Sequence, residues 1–308
     1  MIGIRAISSY VPELKINNIE QARALGETDD FISRKIGAIE LPCMPEGMDT
    51  SDMATAAAKK LVSNHGLSLD MVDAVVVVTQ NGDGEGLPHT AAIVQDKLEL
   101  SGHVAAFDIS LGCSGYVYGL SIVKGLMEQA GLKNALLITA DPYSKVVDRR
   151  DRVTTLLFGD AATATWLTED SVWKFGKPML DTDGSGAENL VVNNKTLHMN
   201  GRQVFNFASK QVPKQIKEFL LNNSLEPTDV DMYCMHQGSA SIVDAVARRF
   251  PEVSERFISD IRQTGNTISS SIPLLLERFL EKNDINRIIV SGFGVGLSWA
   301  TNMIYRED

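Results

Sequence analysis

Residues 104–139 read VAAFDISLGCSGYVYGLSIVKGLMEQAGLKNALLIT. Val104–Ile109 predicts a strand, Cys113 to about Gln129 carries a helical pattern that Gly131 closes, and Ala135–Thr139 predicts another strand. Strand, helix and strand in succession are the building unit of a layered α/β fold. Upstream, the apolar, β-branched run Asp73–Gln80 predicts a buried strand, followed by a helix from His89 to about Leu98.

The same order returns later in the chain. Asp231–Gln237 predicts a strand, Ser239–Phe250 a helix, Arg256–Ser259 a short strand, Gly265–Asn266 the opening of a helix to about Glu281, and Arg287–Ser291 a third strand. Cys113 precedes Leu137 by 24 positions and Asn266 precedes Ile289 by 23. Similar elements at similar spacing predict a duplicated unit with an internal pseudo-twofold, an N-terminal half over 1–172 and a C-terminal half over 173–308. The first half carries an insertion from Asp141 to Leu157, with Arg149, Arg150 and Arg152, and the Gly-, Asp- and Asn-rich stretch 173–206 links the halves.

Composition narrows the function. The 308 residues are 44% hydrophobic and 22% charged, an ordinary folded profile, and no apolar run approaches the ~20 residues that cross a bilayer. A net charge of −10 argues against nonspecific binding to nucleic acid or anionic membrane, which needs a cationic surface. The three cysteines, Cys43, Cys113 and Cys234, form no disulfide framework, and the N-terminus shows no signal pattern. A cytoplasmic location is therefore expected. The five histidines show no metal-binding spacing, and no metal is expected.

Three residues stand at matching corners of the repeat. Cys113 lies between Gly112 and Ser114-Gly115 at a helix start, where the helix end lowers a thiol's pKa and favours the nucleophilic thiolate. His236 ends a strand, where ligands gather in open α/β folds. Asn266 precedes a helix, a position that also suits a capping residue. The glycine-rich turn Gly292–Trp299 offers backbone N–H groups to a developing oxyanion. Cys43 and Cys234 read as packing thiols.

Taken together, Leu111-Gly112-Cys113-Ser114-Gly115, Leu157-Phe158-Gly159-Asp160, Met199-Asn200-Gly201 with Val204-Phe205, His236-Gln237, Gly265-Asn266-Thr267 and Gly294-Val295-Gly296 resemble the motifs of the β-ketoacyl-acyl-carrier-protein synthase III family of the thiolase superfamily, in that family's order. The resemblance spans essentially the whole chain. It implies a thiolase-like, five-layered α-β-α-β-α fold working as a homodimer. It implies that Cys113 takes an acyl group from acyl-CoA in an oxyanion hole formed by the N–H groups of Cys113 and Val295. Malonyl-acyl-carrier protein then loses carbon dioxide, and His236 and Asn266 donate hydrogen bonds to the enolate, which attacks the thioester. Both thioesters are substrates, so no cofactor is implied.

By the same resemblance Phe31, Lys35 and Arg152 meet the CoA end, and Phe205 and Phe293 line the substrate path. Leu87 reaches across the dimer to limit the acyl pocket. Lys210, Lys214, Arg248 and Arg249, with Lys217, offer a cationic patch to an acidic carrier protein. The chain departs from the pattern in places: Phe31 replaces a Trp, Lys35 an Arg, Asn206 a Lys, and Gly238-Ser239-Ala240-Ser241 replaces Ala-Asn-x-x-Arg. Three other readings compete: a superfamily acyltransferase with a secondary-metabolite acceptor, a papain-type cysteine hydrolase, and a non-catalytic partner subunit.

Overall fold

The computed structural model describes residues 1–307. Its main sheet has ten strands, nine of them in one hydrogen-bonded path. The path runs from Ala105–Ile109 through Ala74–Val78, Asn134–Ala140, Ala162–Thr168 and Gly3–Tyr10 to Trp173–Phe175, and on through Ser298–Arg306 and Arg287–Gly294 to Met232–Met235. Met179–Thr182 pairs with Ser298–Arg306 off this path.

The pairing sense exposes the repeat. Ala74–Val78 lies parallel to both Ala105–Ile109 and Asn134–Ala140, and the latter is antiparallel to Ala162–Thr168. In the other half, Met232–Met235 lies parallel to Arg287–Gly294, which is antiparallel to Ser298–Arg306. The counterpart of the edge strand is reduced to one parallel bridge, Phe257 to Tyr233. The strand expected at Arg256–Ser259 is thus corrected to a single contact. Pro251–Arg256 winds as a 3-10 turn immediately before it, and Asp260 is turned away by the Gln237 side chain, which accepts its N–H at 2.9 Å.

The buried clusters define five layers. Helices Thr50–His65 and Thr90–Lys97 cover the outer face of the first-half strands. Helices Gly115–Ala130 and Ser271–Phe279 pack between the halves, in one core that draws on strands of both. Helices Gly201–Asn222 and Ala240–Ala247 cover the second-half strands. The order is the α-β-α-β-α arrangement expected from the resemblance. Strands such as Ala74–Val78 are buried throughout because both their faces are covered.

Two boundaries move. The helix expected from Cys113 begins at Gly115, leaving Cys113 in the turn where the Gly115 N–H reaches the Gly112 carbonyl at 2.8 Å. The helix expected from Asn266 becomes a 3-10 turn at Ile268–Ser270 and turns α-helical only at Ser271, because Ile268 takes φ +53°. The link 173–206 is more structured than its composition suggests. Buried Trp173 and Phe175 form a sheet strand, and Leu190–Asn193 pairs with Thr196–Met199 as a hairpin.

Candidate active site

A cavity of about 480 Å³ opens at the carboxyl end of the strands. Cys113, His236 and Asn266 all line it, although they come from three separate elements, and all three are buried. Phe31, Lys35, Arg152, Phe205 and Phe293 line it as well. Lys35 and Arg152 are exposed while Cys113 and His236 are 4% and 3% exposed, so the cavity runs from a charged mouth to an apolar floor.

Cys113 sits beneath the turn that joins Arg287–Gly294 to Ser298–Arg306. The approach is so close that a Cβ on Gly294 would lie 2.8 Å from the sulfur, and one on Gly292 would lie 2.7 Å from the Cys113 carbonyl oxygen. Glycine is therefore required at both positions for the turn to pack on the nucleophile. Burial pushes the thiol far up and the Asp141 carboxyl adds to the shift, whereas the backbone N–H groups of Cys113 and Val295 favour the thiolate. The net direction is opposite to the lowering expected from a helix start. The physical reason is dehydration: the turn takes the sulfur out of water, and the two N–H groups do not offset that.

His236 follows the strand Met232–Met235, and its backbone N–H is tied to the Ser291 carbonyl at 2.8 Å. Its ring meets Phe293 edge-on, at 5.3 Å between centroids. Burial pushes the imidazole down to about 3, with the Ile268 carbonyl opposing, so the ring is neutral at physiological pH. Its Nδ1 lies 2.8 Å from Ser271 Oγ, which is also 3.0 Å from the Ile268 carbonyl oxygen.

Asn266 is held by its own backbone and by a strained neighbour. Its N–H donates to the Leu157 carbonyl at 2.9 Å, and its carbonyl accepts from Gly159 at 3.1 Å. Gly265 before it has φ +64°, and a Cβ there would lie 2.5 Å from Leu41 Cδ2. The left-handed Ile268, unusual for a β-branched residue, brings its N–H onto Asn266 Oδ1 at 2.9 Å. That bond fixes the amide so that Nδ2 is the donor, 3.5 Å from the Gly238 carbonyl.

Elsewhere the expectations divide. Leu87 is 90% exposed and does not line this chain's own cavity. Lys210, Lys214 and Lys217 are exposed on the helix Gly201–Asn222, and Arg248 and Arg249 are exposed just past the end of the helix Ala240–Ala247 that packs against it. Sequence reasoning missed Ser271, Ile268 and Glu27. Ser271 and Ile268 lie within the helix expected from Gly265–Asn266 to about Glu281 but carried no chemical signal of their own, and Glu27 is isolated from every motif.

The family 3-oxoacyl-(acyl-carrier-protein) synthase III matches residues 107–184, and the family 3-oxoacyl-(acyl-carrier-protein) synthase III C terminal matches residues 220–305. The β-ketoacyl-(acyl-carrier-protein) synthase III of Lactococcus lactis subsp. cremoris is 31% identical, with 98% of each chain covered, and that of Streptococcus agalactiae is 34% identical over the same shares. The chain belongs to the synthase III family. Synthase III enzymes are condensing acyltransferases, and the Thermus thermophilus member superposes with a TM-score of 0.91 at 31% identity, covering 99% of both chains. A priming β-ketosynthase from the R1128 polyketide pathway superposes with a TM-score of 0.90 at 25% identity, covering 100% of this chain and 97% of its own. In this synthase III chain residues from all six motifs line one cavity, Cys113, His236 and Asn266 among them.

Proposed function

We propose that the chain condenses an acyl-CoA primer with malonyl-acyl-carrier protein through a thioester at Cys113, giving a β-ketoacyl-carrier protein and starting fatty acid synthesis or a related pathway. The observation that carries this reading is the convergence of Cys113, His236 and Asn266 on one apolar cavity with an exposed mouth. Cys113 attacks the primer's carbonyl as the thiolate; the oxygen rests on the N–H groups of Cys113 and Val295, and the carbon–sulfur bond to CoA breaks, the proton given up by Cys113 ending on the CoA sulfur, which leaves as the thiol. Malonyl thioester next loses carbon dioxide, and the electron pair forms an enolate whose oxygen accepts from His236 Nε2 and Asn266 Nδ2. The enolate carbon attacks the Cys113 thioester, and the sulfur leaves. Neutral donors suit this step, since a carboxylate at either place would repel the enolate.

A raised thiol pKa is compatible with the first step. The N–H groups that favour the thiolate are the same ones that stabilise the oxyanion, so charge is welcome only where the reaction creates it. The scheme calls on no cofactor. A homodimer, in which the exposed Leu87 would reach the neighbouring cavity, and a cytoplasmic location complete the proposal.

The test is intact-protein mass spectrometry after incubation with acyl-CoAs, followed by peptide mapping. We expect one acyl group, on Cys113, and release of carbon dioxide when malonyl-acyl-carrier protein is added. Acylation at Cys43 or Cys234, or an unimpaired Cys113→Ala, would overturn the scheme. A second reading keeps the Cys113 thioester and changes the acceptor. Gly238 and Ser239 line the cavity where the family pattern carries Ala and Asn, and Ile242 lines it where the pattern carries Arg; that uncharged wall suits an acceptor other than a carrier protein. Product formed from the acyl-enzyme without carbon dioxide release identifies it.

A further inference from the structure

The cavity mouth holds an acidic residue that the scheme above does not use. Helix Asn18–Ala24 ends in a turn in which the Glu27 N–H returns to the Ala22 carbonyl at 2.9 Å and the Gly26 N–H to the Arg23 carbonyl at 3.1 Å. Gly26 takes φ +79°, so the pair of bonds is the glycine-dependent stop that ends many helices. This turn fixes where the Glu27 backbone lies. Its side chain lines the cavity, is only 20% exposed, and meets Arg152 at 2.9 Å.

The surrounding arginines are also paired. Arg23 meets Asp29 at 2.5 Å, Arg34 meets Asp30 at 2.7 Å, and Arg150 meets Asp148 at 3.0 Å. Among the described residues, Lys35 is the cavity-lining cation with no carboxylate partner. An arriving CoA thioester brings a pyrophosphate and a 3′-phosphate to this mouth, whereas the arm of a carrier protein brings one phosphodiester. A carboxylate already seated on the guanidinium therefore opposes the two donors unequally, because repulsion grows with the ligand's charge.

We propose that Glu27 is a specificity-determining residue at the cavity mouth: by occupying Arg152 it weakens the capture of CoA thioesters relative to carrier-protein thioesters. The inference rests on the reading of this cavity as the thioester tunnel. It assigns Glu27 no part in bond making; the residue sets only how strongly the polyphosphate end is held.

The experiment compares Glu27→Gln with the unaltered protein. The KM for acyl-CoA is measured from the rate of Cys113 acylation and the KM for malonyl-acyl-carrier protein from overall condensation, at low and high salt. The neutral amide releases Arg152, so the acyl-CoA KM should fall about three- to tenfold at low ionic strength, and the gap should close as salt is added. The carrier-protein KM should stay within about twofold, as expected for a site that makes one phosphate contact. Asp148→Asn frees Arg150, which does not line the cavity, and should change neither value. An acyl-CoA KM that is unchanged or raised, or an equal fall for both substrates, overturns the inference. Calorimetric titration with CoA itself separates this question from the reaction. If no acyl-CoA acylates Cys113, the proposed function fails; tighter CoA binding by Glu27→Gln would still uphold the role of Glu27, and unchanged binding would reject it.

Discussion

Ser271 has one hydroxyl proton and two acceptors within reach, His236 Nδ1 and the Ile268 carbonyl oxygen. For His236 Nε2 to donate to an enolate, its neutral ring must carry the proton there, so Nδ1 must accept from Ser271. The hydroxyl then selects the working tautomer. Ser271→Ala removes that preference, and the ring turns its Nδ1–H toward Ile268. Malonyl decarboxylation should fall roughly fivefold to tenfold, the worth of about 1 kcal/mol of hydrogen bonding, while acyl transfer to Cys113 stays intact. Ser271→Thr, which keeps the hydroxyl, should recover most of the rate. Equal losses in both half-reactions would mean that Ser271 only supports packing. The residue scale also shows why some chemistry was hidden from the sequence. Cys113, His236 and Asn266 stood at matching corners of a repeat and inside recognisable motifs, whereas Ser271 matters through a hydrogen bond and Ile268 through a φ angle, and a row of letters displays neither.

At the level of elements, the insertion after Asn134–Ala140 places a carboxyl where none is comfortable. Asp141 is 2% exposed; its Oδ1 accepts from the Gln80 N–H at 3.1 Å and from Asn81 Nδ2 at 2.9 Å, while Oδ2 has no partner among the described residues. Burial pushes its pKa up to about 7, against the pull of those donors. In the unfolded chain the group ionises near 4, so between about pH 4 and 7 the folded state holds the extra proton. This group's contribution therefore favours the fold at low pH and is lost as pH rises through 7. Asp141→Asn has no such titration. Urea denaturation from pH 5 to 8 should show the variant losing less stability than the parent over that interval, with a difference on the order of 3 kcal/mol. Parallel pH curves would contradict this placement of the proton. Core strands and central helices were legible because their apolar runs and glycine stops are local signals. The edge strand at Arg256–Ser259 was not, because its pairing depends on the 3-10 turn before it.

Across the whole molecule, charge is sorted against an acidic background of −10. Lys210 and Lys214 lie beyond Phe205 on the helix Gly201–Asn222, about 8–14 Å along its axis from that cavity-lining residue at 1.5 Å per position. A carrier protein seated there stands within an arm's length of the mouth. The double change Lys210→Glu with Lys214→Glu should raise the KM for malonyl-acyl-carrier protein about tenfold at low salt and flatten its salt dependence, with the acyl-CoA KM unchanged. An unaltered carrier-protein KM would place the docking face elsewhere.

The strand Trp173–Phe175 is only three residues long, yet it pairs with Gly3–Tyr10 on one side and Ser298–Arg306 on the other. It is the seam of the molecule, and the core beneath it is shared by both halves. Neither half keeps a finished sheet edge or a covered inner face once its twin melts. Heating therefore meets a single cooperative unit, and the nucleophile cannot outlast the donors that face it.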